Sequence, residues 1–430
     1  MVKWNIGVVG LWHLGCVLCA SWTKLGHKVV GLDFRDEVVS NLSKGIPPLF
    51  EPGLESEIRR ANDDGLLSFS ADERTLRDCD FVFIAYDTPV REDDTSDVTL
   101  LTESVRKIAP FLRDQSIVIV SSQSPVGLCS SMRSILQNEN SAIELVYSPE
   151  NLRLGEAINC YLNPGRIILG SETESAKDRA VSLFREIPGE IIAMDLASAE
   201  MVKHGINSFL ATCITFANHL ADVCEYSGAD ISQVVKGMKS DPRIGAKAYL
   251  SPGIGFSGGT LGRDLKVLEA INKRNNGMAT LFGQIHQSNA LRKNAIVAKI
   301  EKLLGGTASN KQIGILGVTY KPGTSTLRRS LPIEIVQLLQ SEGARVVVHD
   351  PKADYSELID PESFTVVTKA VEAFDGSDIV VLLTEWPEFN QLDWEELSGK
   401  MRSPILFDTK NALDSIGSIK AFFQYHGVGK

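Results

Sequence analysis

Cysteine is scarce in this chain. Seven occur among 430 residues, at positions 16, 19, 79, 129, 160, 213 and 224. The number is odd and no spacing repeats as in a disulfide framework, so a reducing, cytoplasmic setting is expected. Cys16 and Cys19 form a lone CxxC with no second pair and no histidine cluster beside it. Two small apolar residues one helical turn apart, facing a sheet, is the expected reading, ahead of a metal or redox role. Positive charge is not in excess either: 44 Lys and Arg face 54 Asp and Glu, for a net charge of −10. That excludes a general nucleic-acid or membrane-surface binder. It leaves an anionic ligand open, because glycine loops and helix N-termini hold phosphate whatever the overall charge. No segment approaches the roughly 20 apolar residues of a membrane-spanning helix. Low-complexity tracts and heptad runs are also missing, which argues against a structural role.

Lys3 and the apolar stretch up to Trp22 have the look of a signal peptide. The pattern inside the stretch is different. Ile6–Gly10 reads as a short buried strand, Gly10–Gly15 as a turn, and Lys24-Leu-Gly-His-Lys-Val-Val-Gly-Leu-Asp33 completes a βαβ unit.

A weak internal repeat organises the rest. Ile6-Gly-Val-Val-Gly10 returns as Ile313-Gly-Ile-Leu-Gly317, and Leu25-Gly-His-Lys-Val-Val-Gly-Leu-Asp33 as Glu342-Gly-Ala-Arg-Val-Val-Val-His-Asp350. Each half adds a further strand, Cys79-Asp-Phe-Val-Phe-Ile-Ala85 and Ser377-Asp-Ile-Val-Val-Leu-Leu383. Short β-branched runs separated by helical patterns are the mark of parallel, doubly wound sheets. The expected fold is α/β: two Rossmann-like doubly wound domains joined by a central helical domain. Ser198–Tyr226 reads as one helix and 264–304 as another, closed by Gly305-Gly306, with 305–312 as a linker. The expected domains are 1–195, 196–304 and 305–430. A long helix between two α/β domains is a candidate dimer core.

After the first strand stands Gly10-Leu-Trp-His-Leu-Gly15, against a dinucleotide fingerprint of GxGxxG. The first and third glycines are present and Trp12 replaces the second. Asp33 supplies the acidic residue expected about 20 positions on; it favours the ribose hydroxyls of NAD over the 2′-phosphate of NADP. The loop residues Gly10, Trp12, His13, Leu14 and Gly15, with Asp33, are the cofactor candidates. A generic βαβ unit with a charged strand end is the plain alternative.

Three segments combine chemically unusual residues: Tyr147-Ser-Pro-Glu-Asn-Leu-Arg-Leu-Gly155, Ala199-Glu-Met-Val-Lys-His-Gly-Ile-Asn207, and Tyr249-Leu-Ser-Pro-Gly-Ile-Gly-Phe-Ser-Gly-Gly-Thr-Leu-Gly-Arg-Asp264. Lys203 and Asn207 are four apart and share a helix face. Together they can stabilise a developing alkoxide, or form a solvated surface pair. The glycine-rich third segment ends on Arg263 and Asp264, which are expected to begin a helix. Asp264 is then an N-terminal cap in the first instance, and a base acting through water in the second.

These residues resemble the UDP-glucose/GDP-mannose dehydrogenase family across essentially the whole chain. Ser148-Pro-Glu-Asn-Leu-Arg-Leu-Gly155 is similar to the family's N-P-E-F-L-R-E-G, and Gly317-Val-Thr-Tyr-Lys-Pro322 to its G-x-x-F-K-x segment. Leu383-Thr-Glu-Trp-Pro-Glu-Phe389 and Asp408-Thr-Lys-Asn411 look like its late motifs. The resemblance implies an NAD domain, a helical dimerising middle and a C-terminal domain for the UDP of the sugar substrate. It implies a cytoplasmic homodimer that oxidises the C6 alcohol of a nucleotide-hexose with NAD for polysaccharide biosynthesis. By position, Glu150 orients water or base, Lys203 and Asn207 hold the oxyanion, and Asp264 helps activate water. Arg328 reaches the cofactor. Tyr249, Gly255, Lys321 and Lys410 contact the substrate, and Arg243 the substrate bound to the partner subunit.

The departures are specific. Where the family has G-G-S-C-F-P-K-D, this chain reads Ser257-Gly-Gly-Thr-Leu-Gly-Arg-Asp264, with Thr260 in the place of the nucleophilic cysteine. Gln123 stands where a hydroxyl is usual, and Lys410 replaces an arginine, losing its bidentate fork. A thiol of pKa about 8.5 ionises readily; a threonine hydroxyl does not. The first hydride transfer needs no thiol, whereas a thioester step does. Full oxidation through an aldehyde hydrate, an aldehyde product, a ring ketone, and a non-catalytic binding homologue all remain open here.

Overall fold

The computed structural model describes residues 2–86, 88, 97–149, 152–257, 259–274, 280–358, 360 and 364–430. It divides into two compact units, Met1–Gly205 and Ile206–Lys430.

The first unit begins β1 (Asn5–Val9), α1 (His13–Lys24), β2 (Lys28–Leu32), α2 (Asp36–Ser43), α3 (Leu54–Asp63) and β3 (Leu67–Ser70). It continues with β4 (Phe81–Ile84), α4 (Thr99–Ile108), β5 (Ile117–Val120), α5 (Leu128–Glu139) and β6 (Glu144–Tyr147). It closes with α6 (Ala157–Leu162), β7 (Arg166–Ser171), α7 (Glu174–Phe184) and β8 (Glu190–Met194). The sheet order is β3-β2-β1-β4-β5-β6-β7-β8. All neighbours are parallel except β6 and β7. The apolar runs are continuous because both sheet faces are covered. Ile6, Val8, Phe81, Phe83, Ile117 and Ile119 enter one core, and Val9, Val82, Ile84, Val118 and Val120 the other. Each such side chain contributes about 1.5–3 kcal/mol on burial. Cys16 and Cys19 are wholly buried in the first of these cores, and burial pushes the Cys16 thiol up to about 12.

Helix α8 (Leu196–Ser227) spans the expected central helix, and the boundary between the units falls within it. The second unit adds α9 (Ile231–Ser240), α10 (Thr260–Arg274) and α11 (Thr280–Leu303). The single helix expected over 264–304 is therefore two helices. They pack side by side: a Cβ on Gly283 would meet Glu269 Oε1 at 2.7 Å.

Then come β9 (Gln312–Leu316), α12 (Leu331–Ser341), β10 (Arg345–His349), β11 (Thr365–Val366), β12 (Ile379–Leu382), α13 (Trp394–Ser398), β13 (Ile405–Asp408), α14 (Ile419–Phe422) and β14 (Gln424–Gly427). Their order is β11-β10-β9-β12-β13-β14. This is the 3-2-1-4-5-6 order of a dinucleotide-type sheet, repeated from the first six strands of the first unit. Among the described residues, no helix is long and apolar enough to cross a membrane.

Candidate active site

The turn between β1 and α1 has the geometry a dinucleotide needs. Gly10 has φ +94°, a left-handed conformation that favours glycine, and a Cβ there would meet the Tyr86 ring at 2.9 Å. A Cβ on Gly15 would lie 1.9 Å from the Gly10 carbonyl oxygen, so the third fingerprint position admits no side chain. Trp12 is the N-cap residue of α1, with φ −95°, and makes no side-chain cap bond. Its backbone is one any residue adopts, and its indole is 40% exposed. Leu14 packs into the core. The first turn of α1 carries no acidic residue, so its free amides and helix dipole face no competing charge.

Asp33 follows β2 and is almost fully buried. Its Oδ2 accepts from the Leu11 amide at 2.9 Å and Arg35 Nη2 at 3.0 Å; Oδ1 accepts from the Arg35 amide at 3.1 Å and Arg35 Nε at 2.9 Å. Burial works to raise this carboxyl, but the hydrogen bonds from Arg35 and Leu11 outweigh it and hold Asp33 below the usual range. The counterpart in the second unit, Asp350, is engaged differently. It accepts from the amides of Val318, Thr319, Lys352 and Ala353 and from the Trp386 indole. The repeat thus has one strand-end carboxylate closed off by its own fold, and one faced by a movable side chain. The first unit also has α1 starting three residues past Gly10, whereas α12 starts only at Leu331, well beyond Gly317. Both contrasts put the dinucleotide on the first unit.

His13 opens α1 and reaches a carboxylate that sequence reasoning missed. His13 Nε2 and Glu51 Oε2 are 2.9 Å apart. Glu51, 3% exposed, also accepts from the amides of Gly155 and Ala157 at 3.0 and 2.9 Å. It ties the cofactor loop to the last residue of the Ser148–Gly155 motif and to the start of α6. Glu150 itself lies outside the described residues. Glu200 was missed as well: buried on α8, it accepts from the Gly127 and Cys129 amides at 2.6 and 2.9 Å and caps α5.

Further along α8, Asn207 is buried and donates through Nδ2 to Asp264 Oδ2 at 2.5 Å. The expected capping role of Asp264 is overturned. Helix α10 starts at Thr260, so Asp264 sits one turn inside it and is fully buried. The helix starts there because Gly259, the last residue of the loop, already accepts the first helical bond, from the Arg263 amide at 3.4 Å. Thr260 is exposed at the head of α10, one turn from Asp264. Lys203 is half-buried one turn before Asn207.

The glycine loop ahead of α10 is fastened from two helices. Asn218 Oδ1 accepts from the Gly253 amide at 2.7 Å, and Arg292 Nε donates to the Gly253 carbonyl at 3.0 Å. Asn289 brackets Phe256, accepting from its amide at 2.8 Å and donating to its carbonyl at 2.9 Å. Gly255 has φ +108°, and a Cβ there would meet Asn289 Oδ1 at 2.5 Å. Of the remaining candidates, all but the partly buried Lys410 are open to solvent. Arg243 is 89% exposed and forks onto Asp241, Tyr249 is half-exposed, and Lys321 lies over the Tyr320 ring. Arg328 is exposed, 4.0 Å from Glu357, and Lys410 Nζ is 3.5 Å from Glu385.

Comparison with known proteins agrees with this division. Three models of the UDP-glucose/GDP-mannose dehydrogenase family match the chain: the NAD binding domain over 4–188, the central domain over 197–291 and the UDP binding domain over 314–415. A UDP-glucose 6-dehydrogenase of Rickettsia bellii is 32% identical over 433 residues, covering 99% of each chain. One from Bacillus subtilis is 32% identical over 431 residues, covering 99% of this chain and 98% of that one. The solved structure of a UDP-glucose dehydrogenase from Pyrobaculum islandicum superposes with a TM-score of 0.88 at 28% identity, covering 100% of this chain and 98% of that one. With a Rossmann loop built for NAD and three consecutive domain matches, the chain belongs to the UDP-glucose/GDP-mannose dehydrogenase family and is an NAD-dependent oxidoreductase.

Proposed function

We propose that this chain removes one hydride from C6 of a UDP-hexose, UDP-glucose in the first instance, and releases the aldehyde or its hydrate rather than the acid. What supports the reading is the head of α10: Thr260, which the resemblance assigns to the family's thiol position, begins the helix one turn before a buried carboxylate held by Asn207. NAD, when bound, accepts the hydride. Asp264 draws the proton from the C6 hydroxyl, directly or through water. Asn207 fixes Asp264 with one amide hydrogen and turns the other to the substrate oxygen. Lys203, one turn back, adds positive charge for the alkoxide as it forms. Glu150 belongs to the same assignment by position. Gly255 and Tyr249 belong to the sugar-binding loop, Lys321 and Lys410 to the nucleotide side, and Arg328 to the cofactor.

Thr260 cannot replace the thiol in a thioester step. Its hydroxyl lacks the acidity and the nucleophilicity of a cysteine. The test mixes the purified chain with NAD and a panel of nucleotide sugars and follows NADH. One NADH per UDP-hexose, with an aldehyde trapped by hydroxylamine, is expected. Two NADH per sugar would overturn the single-step reading, and none across the panel would favour a binding module. Thr260→Cys should raise acid formation; no gain in a folded variant would remove Thr260 from the thiol's place.

The same reading makes the chain a homodimer through α8. Phe209, Phe216 and Val223, spaced seven apart on that helix, are 65%, 48% and 60% exposed. An apolar stripe of this kind on a soluble enzyme's helix calls for a partner surface.

A further inference from the structure

The strand end that receives the adenine ribose holds an unusual pairing. A carboxylate offers about four acceptor positions. At Asp33 the protein fills all four, two with main-chain amides of Leu11 and Arg35 and two with the Arg35 guanidinium. The amides are fixed by the fold. The guanidinium is not: its side chain is 58% exposed while that of Asp33 is 2%. A ribose diol therefore reaches Asp33 by displacing the Arg35 fork, or docks against the fork itself. In either case a planar cation sits beside the ribose 2′ position. Asp33, the residue that ordinarily repels a 2′-phosphate, has its charge neutralised by that same cation.

A second cation stands nearby. Lys107 Nζ lies 4.4 Å from the centre of the Phe34 ring, the residue between Asp33 and Arg35. Arg35 is also the N-cap residue of α2 and makes no side-chain cap bond, so the positive end of that helix dipole lies beside the guanidinium. The acidic groups of the first turn, Asp36 and Glu37, are both exposed and therefore screened by water and salt.

We infer that this site accepts NADP as well as NAD, with the Arg35 fork as the group that receives the 2′-phosphate and decides between the two cofactors. Guanidinium binds phosphate through two parallel charge-assisted bonds, stronger and more directional than the single contact of a ribose hydroxyl. Arg35 thus has two partners, Asp33 in the free chain and a phosphate when one is present. The inference concerns the cofactor site alone and is independent of the sugar chemistry proposed above.

The test is binding, not turnover. Titration calorimetry on the full chain measures the dissociation constants of NAD and NADP, with 5′-AMP and adenosine 2′,5′-bisphosphate as fragments. NADP is expected to bind within about tenfold of NAD; weaker binding than that overturns the inference. Arg35→Ala should raise the ratio of the NADP constant to the NAD constant by about tenfold or more, and Arg35→Lys by less, since it keeps the charge and loses the fork. Asp33→Asn should move the ratio the other way. A ratio that does not respond to Arg35→Ala refutes the role assigned to that residue, and because it is a ratio, a general loss of folding does not imitate the effect.

Discussion

Glu51 shows what one buried carboxylate can hold together. Its two oxygens accept from His13 and from the Gly155 and Ala157 amides, contacts that reach across 38, 104 and 106 residues. Burial works to raise its pKa, but these bonds prevail and keep it below its usual value of 4.5. A carboxyl depressed in the folded state contributes stability above its unfolded pKa, and that contribution is lost as pH falls through the folded value. Glu51→Gln must turn an NH2 group toward a donor on one side or the other. We expect it to lower stability by about 1.5–3 kcal/mol near neutral pH, the scale of hydrogen bonds to a charged group. In urea titrations that difference should shrink as pH falls below the ordinary glutamate range and the native carboxylate takes up its proton. A difference unchanged down to pH 3 would show that the charge is not what matters. Asp264→Asn sets two amides against each other at the position proposed as the base. It should cut turnover by about 10²–10⁴-fold, as loss of a general base does, while NAD affinity is retained.

The strand pattern was legible in the sequence, because a parallel strand buried on both faces leaves an apolar run that nothing else in this chain imitates. Ile6–Gly10 and Ile313–Gly317 became β1 and β9, and the repeat became two sheets of matching order. The helices were less legible at their ends. Gly258-Gly259 read as loop and Asp264 as a cap, yet the helix starts at Thr260, since helix onset after a glycine run is decided by what the next turn buries. Gly262, Arg263, Asp264 and Leu265 are all buried. Long-range partners left no local trace: Asn289 and Arg292 fall within the stretch read only as helix, and they fasten the loop at Phe256 and Gly253. Asn289→Ala removes two hydrogen bonds from that loop. It should raise the KM for the sugar nucleotide several-fold and leave the KM for NAD in place. Equal effects on both would deny the loop a sugar-specific role.

For the whole molecule, the repeat has been put to unequal use. The first unit keeps an open glycine turn, a helix that starts at once and a carboxylate faced by a movable arginine; the second closes the equivalent carboxylate with main-chain amides. One sheet thus serves NAD, and its duplicate, matched by the family's UDP binding domain, serves the nucleotide of the substrate. Assembly is expected to rest on α8. Phe216→Glu should convert a dimer into a monomer in light scattering, with both units folded; a native chain that is already monomeric would count against the stripe as an interface. The proposed reaction moves one hydride per sugar. With UDP-glucose carrying two deuterium atoms at C6, mass spectrometry should find one deuterium on the reduced cofactor and a product aldehyde that retains the other. A carboxylate with no deuterium left, and two labelled cofactors for each sugar consumed, would contradict it.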